Sequence, residues 1–157
     1  MAYDKIDALN QVADFHRTFK HPILESPTIP APDRCKLRVN LLAEEVKELE
    51  EAIAAGDIVE IADALCDIQY VLSGAVLEFG LADRFVTLFN EVQRSNMSKA
   101  CTTMAEAEAT VAFYAEKKGE RCYIREIEGK FLVYREGDHK TMKSVAYSPA
   151  QLATLLK

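Results

Sequence analysis

Residues 41–70 read LLAEEVKELEEAIAAGDIVEIADALCDIQY, and they constrain the fold more than any other stretch. Apolar residues recur at helical spacing on both sides of Gly56-Asp57, a break short enough to fold the two arms into a helical hairpin. Placed on a wheel at ~100° per residue with Leu37 as origin, the first arm sorts its charges unevenly. Lys36, Asn40, Lys47, Glu50 and Glu51 form a wet face. Glu44, Glu45 and Glu48 fall in line with Leu37, Leu41 and Ala52, flanked by Leu42, Val46, Leu49 and Ile53. Three carboxylates therefore point where a core belongs.

The second arm carries Ile61, Leu65, Ile68, Leu72, Val76 and Phe79 on one broad face, with Cys66, Tyr70 and Leu77 opposite. So little polar surface remains that the pattern predicts a largely buried helix. Yet Glu60, Asp63 and Asp67 share a stripe with Ala64, Val71 and Gly74. Ionised carboxylates in such a place are costly unless a cation meets them. Antiparallel arms also fix heights. With the turn at Gly56-Asp57, Glu45 lies opposite Asp67 and Ile68, and Glu48 lies opposite Ala64 and Leu65, one position from Asp63. Glu60 is ~7.5 Å from the level of Glu48, at 1.5 Å per residue. The groups best placed to converge are Glu45, Glu48, Asp63 and Asp67. An all-carboxylate set without Cys or His suits hard cations, Mg²⁺ above all and Mn²⁺ next.

The set and its context resemble a known family. Glu44-Glu45-Val-Lys-Glu48, followed by an acid pair on the next helix, is similar to the EExxE…ExxD signature of the all-α nucleoside triphosphate pyrophosphohydrolases. These include MazG-like proteins, dimeric dUTPases and phosphoribosyl-ATP pyrophosphatase. The literal ExxD is Glu60-Ile-Ala-Asp63, whereas height favours Asp63 with Asp67, so both second-arm pairs stand. Phe89-Asn-Glu-Val-Gln-Arg94-Ser-Asn96-Met-Ser-Lys99 resembles the family's phosphate-contacting segment. From the residues alone it is a basic C-terminal turn complementing a helix dipole. The resemblance covers residues 1–100 well and the remainder more weakly. It implies a mainly α fold, a four-to-five-helix MazG-like bundle on 1–100 with a small α+β appendage on 101–157.

At 157 residues the chain has room for one compact domain with an appendage, and 49% hydrophobic residues suffice for a core. No apolar run approaches the ~18 residues of a membrane span, and MAYDKIDALNQ does not read as a signal peptide. Cys35, Cys66, Cys101 and Cys122 form no CxxC pair, which fits reduced thiols and a cytoplasmic location. The net charge of −6, concentrated in residues 1–100, opposes nucleic-acid binding. A polyanionic substrate could approach so acidic a domain only with metal ions between them.

Along the chain, Tyr3–Lys20 reads as a first helix with His16 on its apolar face. His16 reads first as a core-edge histidine with a satisfied ring; the resemblance also places this helix against the nucleotide, where His16, Phe15 or Phe19 would touch it. Residues 21–32 hold four of the five prolines and read as an extended loop. Asp33 reads as the next N-cap. Arg34 and Arg38 read first as partners for the acids near Glu45 and second as substrate contacts. A helix over Asp83–Arg94 follows Gly80. Thr103-Met-Ala-Glu106 reads as a capping box for a fifth helix ending at Gly119. Cys122–Ile127 and Phe131–Arg135 alternate as a hairpin, Thr141–Tyr147 as a third strand, and Ser148-Pro149-Ala-Gln151 as the cap of a terminal helix.

The function these features imply is Mg²⁺-dependent hydrolysis of a nucleoside triphosphate between the α and β phosphates, giving monophosphate and pyrophosphate. Glu45, Glu48, Asp63 and Asp67 would hold metal, with Glu60 the alternative by spelling. Glu44 or Glu45 would orient the attacking water, and Arg94, Asn96 and Lys99 would meet phosphate. Phosphoribosyl-ATP pyrophosphatase is the alternative within this chemistry. A non-catalytic acidic interaction module is the alternative outside it, but leaves the inward acids unexplained. A di-iron bundle needs two Glu-x-x-His pairs on helices, and the chain has this spacing once, at Glu136–His139, outside the helical patterns. A hairpin cannot bury its own acidic stripe and wrap a triphosphate, so a homodimer or homotetramer is expected.

Overall fold

A computed structural model describes residues 3–157. Among these residues five α-helices precede a two-stranded antiparallel ribbon, so the fold is mainly α: α1 (Ala8–Phe19), α2 (Pro32–Ala55), α3 (Ile58–Glu78), α4 (Ala82–Met97), α5 (Met104–Lys118), β1 (Cys122–Ile127) and β2 (Lys130–Arg135). The chain divides into two compact units, Met1–Phe85 and Val86–Lys157, with the boundary inside α4.

In the first unit α2 and α3 form the hairpin. Gly56 closes α2 in the left-handed region, and the Asp57 carboxylate caps α3 by accepting from the backbone N–H of Val59 (2.9 Å) and Glu60 (3.3 Å). Helix α1 packs on α3, joining Val12 and Ala13 to Leu77 with Ile23 and Ala82 around them. Burying such side chains fully contributes about 1.5–3 kcal/mol for each Val or Leu. The proline-rich loop is pinned to the end of α3 by Leu24 N–H to Leu77 O (3.0 Å) and Thr28 N–H to Phe79 O (3.1 Å). Gly80 is required there. Its φ is +66°, and a Cβ would lie 2.0 Å from the Ser26 carbonyl oxygen.

Three expectations for this unit are corrected. The first helix starts at Ala8, not Tyr3. Asp33 is not the N-cap of α2. Proline 32 occupies the first helical turn, where its missing N–H costs nothing, and Asp33 sits inside that turn. Helix α3 is not largely buried: Ser73, Gly74 and Val76–Glu78 are buried, but Leu65 is 52% exposed and Val59 70%. The covered half is the half near α1 and the loop. The other half meets α2 alone within one chain.

In the second unit α5 lies on the ribbon, around Cys101, Ala107, Val133 and Met142, with Tyr114, Ile124 and Phe131 packed against them. Thr103 caps α5 by accepting from Glu106 N–H (3.2 Å), but the Glu106 carboxylate turns to Thr102 and Ser144 instead of closing the box on Thr103. The strands pair Cys122 with Arg135 through to Ile127 with Lys130. Glu128 and Gly129 both have positive φ (50° and 74°), the two-residue turn that matches strand twist. The expected third strand is reduced to a single bridge between Tyr134 and Thr141. The expected terminal helix is a 3₁₀ turn at Leu152–Thr154. Ser148 is not available as its cap, because its hydroxyl accepts from Arg94 (3.0 Å). A segment this short also lacks the length to offset helix nucleation.

Candidate functional site

The six acids singled out in the sequence lie on the hairpin of the first unit. Glu45 is half-buried, and Glu44, Glu48, Glu60, Asp63 and Asp67 are exposed. Of these six acids only Glu45 is partly covered in the single chain. Its carboxyl is held above the ordinary range, first by partial burial, then by the negative charges of Glu48, Asp67, Glu44 and Asp63. Among the described residues, no three His, Cys, Asp or Glu side chains stand close enough to hold a metal ion as they lie. The donor chemistry nonetheless fits a hard divalent cation. The candidate ligands are all carboxylates, and their mutual repulsion is what a bound cation would relieve.

Beside these acids the structure places an ion-pair network that sequence patterning did not find. Glu78 is fully buried near the end of α3 and accepts from both Arg34 and Arg38 of α2. Arg34 and Arg38 are thus paired, as expected, but with Glu78 rather than with the acids around Glu45. Burial alone would raise the Glu78 carboxyl, but the hydrogen bonds from Arg34 and Arg38 outweigh it and hold it below the ordinary range. The signal available in the sequence was a lone acid inside the most apolar run of α3, with two arginines spaced by four on α2.

His16 belongs to the same network. Its Nδ1 lies 2.8 Å from the Pro22 carbonyl and its Nε2 lies 3.3 Å from Arg38 Nη2. Arginine can only donate, so Nε2 accepts and Nδ1 carries the proton. Burial, helped by the Arg38 charge, lowers its pKa despite the Pro22 bond. His16 is a satisfied, neutral core histidine. Arg38 Nε is buried without a hydrogen-bond partner. These groups back a cavity of about 200 Å³ whose walls include Phe15, His21, Tyr70 and Leu41. Phe15 stacks on His21 (centroids 5.8 Å apart) and meets Tyr70 edge-on (5.6 Å).

The Arg94–Lys99 segment lies in the second unit. Arg94 donates to both Glu91 oxygens (2.8 Å each), to Ser148 Oγ and to the Pro149 carbonyl (3.1 Å). Those bonds, and then the Gln151 N–H, bring the Glu91 carboxyl down to about 2. Arg94 is thereby fixed to its own unit. Asn96 Oδ1 accepts from Lys99 Nζ (2.8 Å).

Residues 12–96 match the family model described as phosphoribosyl-ATP pyrophosphohydrolase, more than half of the chain. The chain belongs to this family. Its residues 12–96 are accordingly a nucleotide pyrophosphohydrolase domain of the all-α, MazG-like superfamily, which acts on phosphoric anhydrides and is generally dependent on divalent cations. The chain is also 37% identical over 82 residues to "Uncharacterized protein L479" of Acanthamoeba polyphaga mimivirus, a match that covers 50% of this chain and 33% of that protein. The chain thus spans about a third of the length of this relative. Among the described residues, no single helix is long and apolar enough to cross a membrane.

Proposed function

We propose that the protein hydrolyses a nucleoside triphosphate between the α and β phosphates, with the hairpin acids as the metal-binding wall. The observation that carries this reading is the Glu45 carboxyl, weakened as an acid by partial burial and then by the charges of Glu48, Asp67, Glu44 and Asp63 around it. Glu45, Glu48, Asp63 and Asp67 would hold Mg²⁺ or Mn²⁺, which when bound neutralises phosphate charge and acidifies water. Glu44, exposed beside Glu45, is the carboxylate left to orient the attacking water or accept its proton. The cavity beside Arg38 is the recess for the base or sugar. Its aromatic walls suit a flat ring, and Arg38 Nε is a buried donor lacking an acceptor.

Arg94 is occupied by five acceptor atoms in its own unit, which favours a scaffolding part for it and leaves Asn96 and Lys99 as the phosphate contacts. The exposed apolar half of the hairpin supports a homodimer or homotetramer. A nucleoside triphosphate is preferred to phosphoribosyl-ATP as substrate because the cavity is small and mostly apolar. Purified protein incubated with nucleoside triphosphates, phosphoribosyl-ATP and Mg²⁺ tests this by release of pyrophosphate. Expected is turnover of at least one nucleoside triphosphate that stops in EDTA and in Glu48→Gln. Release from phosphoribosyl-ATP alone would move the assignment to the other substrate, and no release from either would remove the reading.

A further inference from the structure

The second unit holds a cavity of about 350 Å³ lined by Lys99, Lys118, Lys140 and Lys143, with Arg135 and Glu120 also on its wall. Every lining residue lies outside the 12–96 stretch that carries the family match. The charges do not cancel. Glu120 is bound to Arg135 (3.2 Å), and Arg135 also holds Asp138 (2.6 Å), so these three satisfy one another. None of the four lysines has a carboxylate within ion-pairing distance among the described residues. Lysines on an open face need no explanation, since water solvates them. Four around one recess in a chain of net charge −6 are another matter, because walls of low polarity concentrate their field.

The recess is also held in shape. Tyr114 crosses from α5 to accept the Lys143 N–H with its hydroxyl (3.2 Å), Met142 packs behind into the core, and the Lys143 ammonium rests 4.5 Å from the centre of the Tyr147 ring. The Lys140 N–H is fixed by Asp138 (3.2 Å). From these observations we infer that the C-terminal unit binds a short oligophosphate, the phosphate chain of a nucleotide or the free inorganic ion. A single carboxylate or monophosphate offers too little charge for so basic a lining, whereas a di- or triphosphate presents several anionic oxygens in a compact body. A nucleic-acid polymer fits less well, because the rest of the chain is acidic and would repel it. The inference stands whether or not the hairpin carboxylates hydrolyse anything.

The test is calorimetric titration of the full chain with inorganic triphosphate in EDTA at low salt. Carboxylates without metal repel the ion, so binding in EDTA reports on the lysines alone, while Mg²⁺-dependent pyrophosphate release reports on the carboxylates. Expected is saturable binding, one ion per chain, weakened by added salt and unchanged in Glu48→Gln. Exposed charge contacts are individually weak, so the triple change Lys118→Gln, Lys140→Gln and Lys143→Gln should lower affinity by about tenfold or more. Should the triple variant misfold by circular dichroism, Lys118→Gln alone should still weaken binding measurably. A nucleoside triphosphate that binds as tightly as the inorganic ion, or more tightly, supports the same site. Absence of saturable binding, binding undiminished in a folded variant, or tighter binding to a single-stranded oligonucleotide or to anionic vesicles would each overturn it.

Discussion

Two residues set the chemistry of the first unit in opposite directions. Glu45 is a weaker acid in the folded chain than an ordinary carboxylate, and Glu78 is a stronger one. At these two groups the native state binds more protons than the unfolded chain just above the ordinary value of 4.5 and fewer below it, while burial of His16 makes it bind fewer below 6.5. Relative to Glu45→Gln, metal-free wild-type protein should therefore gain stability as pH falls from neutrality toward 4.5, and it should lose stability below that value as Glu78 protonates. Thermal melts in EDTA across pH 4–8 check this, and Glu45→Gln should melt higher than wild type at neutral pH while losing its response to Mg²⁺. A difference in melting temperature between wild type and Glu45→Gln that does not narrow as pH falls toward 4.5 would contradict the shift at Glu45. Gly74 makes a second residue-scale case. Alanine is favoured over glycine in a helix by ~1 kcal/mol. Here a Cβ would stand 2.6 Å from Arg38 Nη1 and 3.1 Å from His16 Nε2, in a network already buried. Overpacking of this kind costs about 1–3 kcal/mol, so Gly74→Ala should be destabilising in urea melts despite its propensity gain. Neither Gly74 nor Glu78 announced this part in the sequence. Periodicity reports which face a residue is on, and it does not report which distant arginine reaches that face.

At the scale of elements, the hairpin, its Gly56-Asp57 turn and the β-ribbon were legible because each has a local cause. A left-handed cap, an aspartate side chain on two N–H groups, and strict alternation all act within a few residues. The tail failed where the cause was distant: Ser148 and Gln151 carry a capping pattern, but Arg94 and Glu91, more than fifty residues earlier, use those groups. The choice of second-arm ligands belongs here too. Asp63 and Asp67 both act on Glu45, which is what antiparallel heights require if Asp67 is level with Glu45. Glu60 has in addition a backbone duty, its N–H bonding the Asp57 cap. Ligands to Mg²⁺ must come within ~2.0–2.1 Å, so a one-turn offset is hard to absorb. Asp67→Asn is therefore expected to abolish metal-dependent turnover and Glu60→Gln to reduce it without abolition, measured at saturating Mg²⁺. A dead Glu60→Gln beside a near-normal Asp67→Asn would show that the literal ExxD spelling, not height, selects the ligands.

For the whole molecule, the decisive fact is how much apolar surface a single chain leaves bare. Val46 is 54% exposed on α2, Leu65 52% on α3, and Ile53, Ile58 and Val59 between 59% and 73% around the turn. Scattered exposed apolar residues are ordinary, but these lie on one continuous hairpin that also carries the candidate metal ligands. The sequence predicted burial for the second arm, and the single chain supplies cover for only half of it. A second copy of the same hairpin is the simplest cover, since an isologous contact lets one surface bury itself against its twin. Covering the stripe would also desolvate Glu45 further and raise its carboxyl more, so assembly and metal affinity should be linked. Sedimentation velocity is expected to show a dimer or tetramer. The paired changes Val46→Lys and Leu65→Lys should shift the protein toward monomer, with circular dichroism retaining the helices. The monomer should then lose the Mg²⁺-induced rise in melting temperature together with turnover. If the variant is monomeric and keeps both, the carboxylates work within one hairpin and the apolar face serves another purpose. If wild-type protein sediments as a monomer at assay concentrations while hydrolysing substrate, the linkage is wrong at its first step.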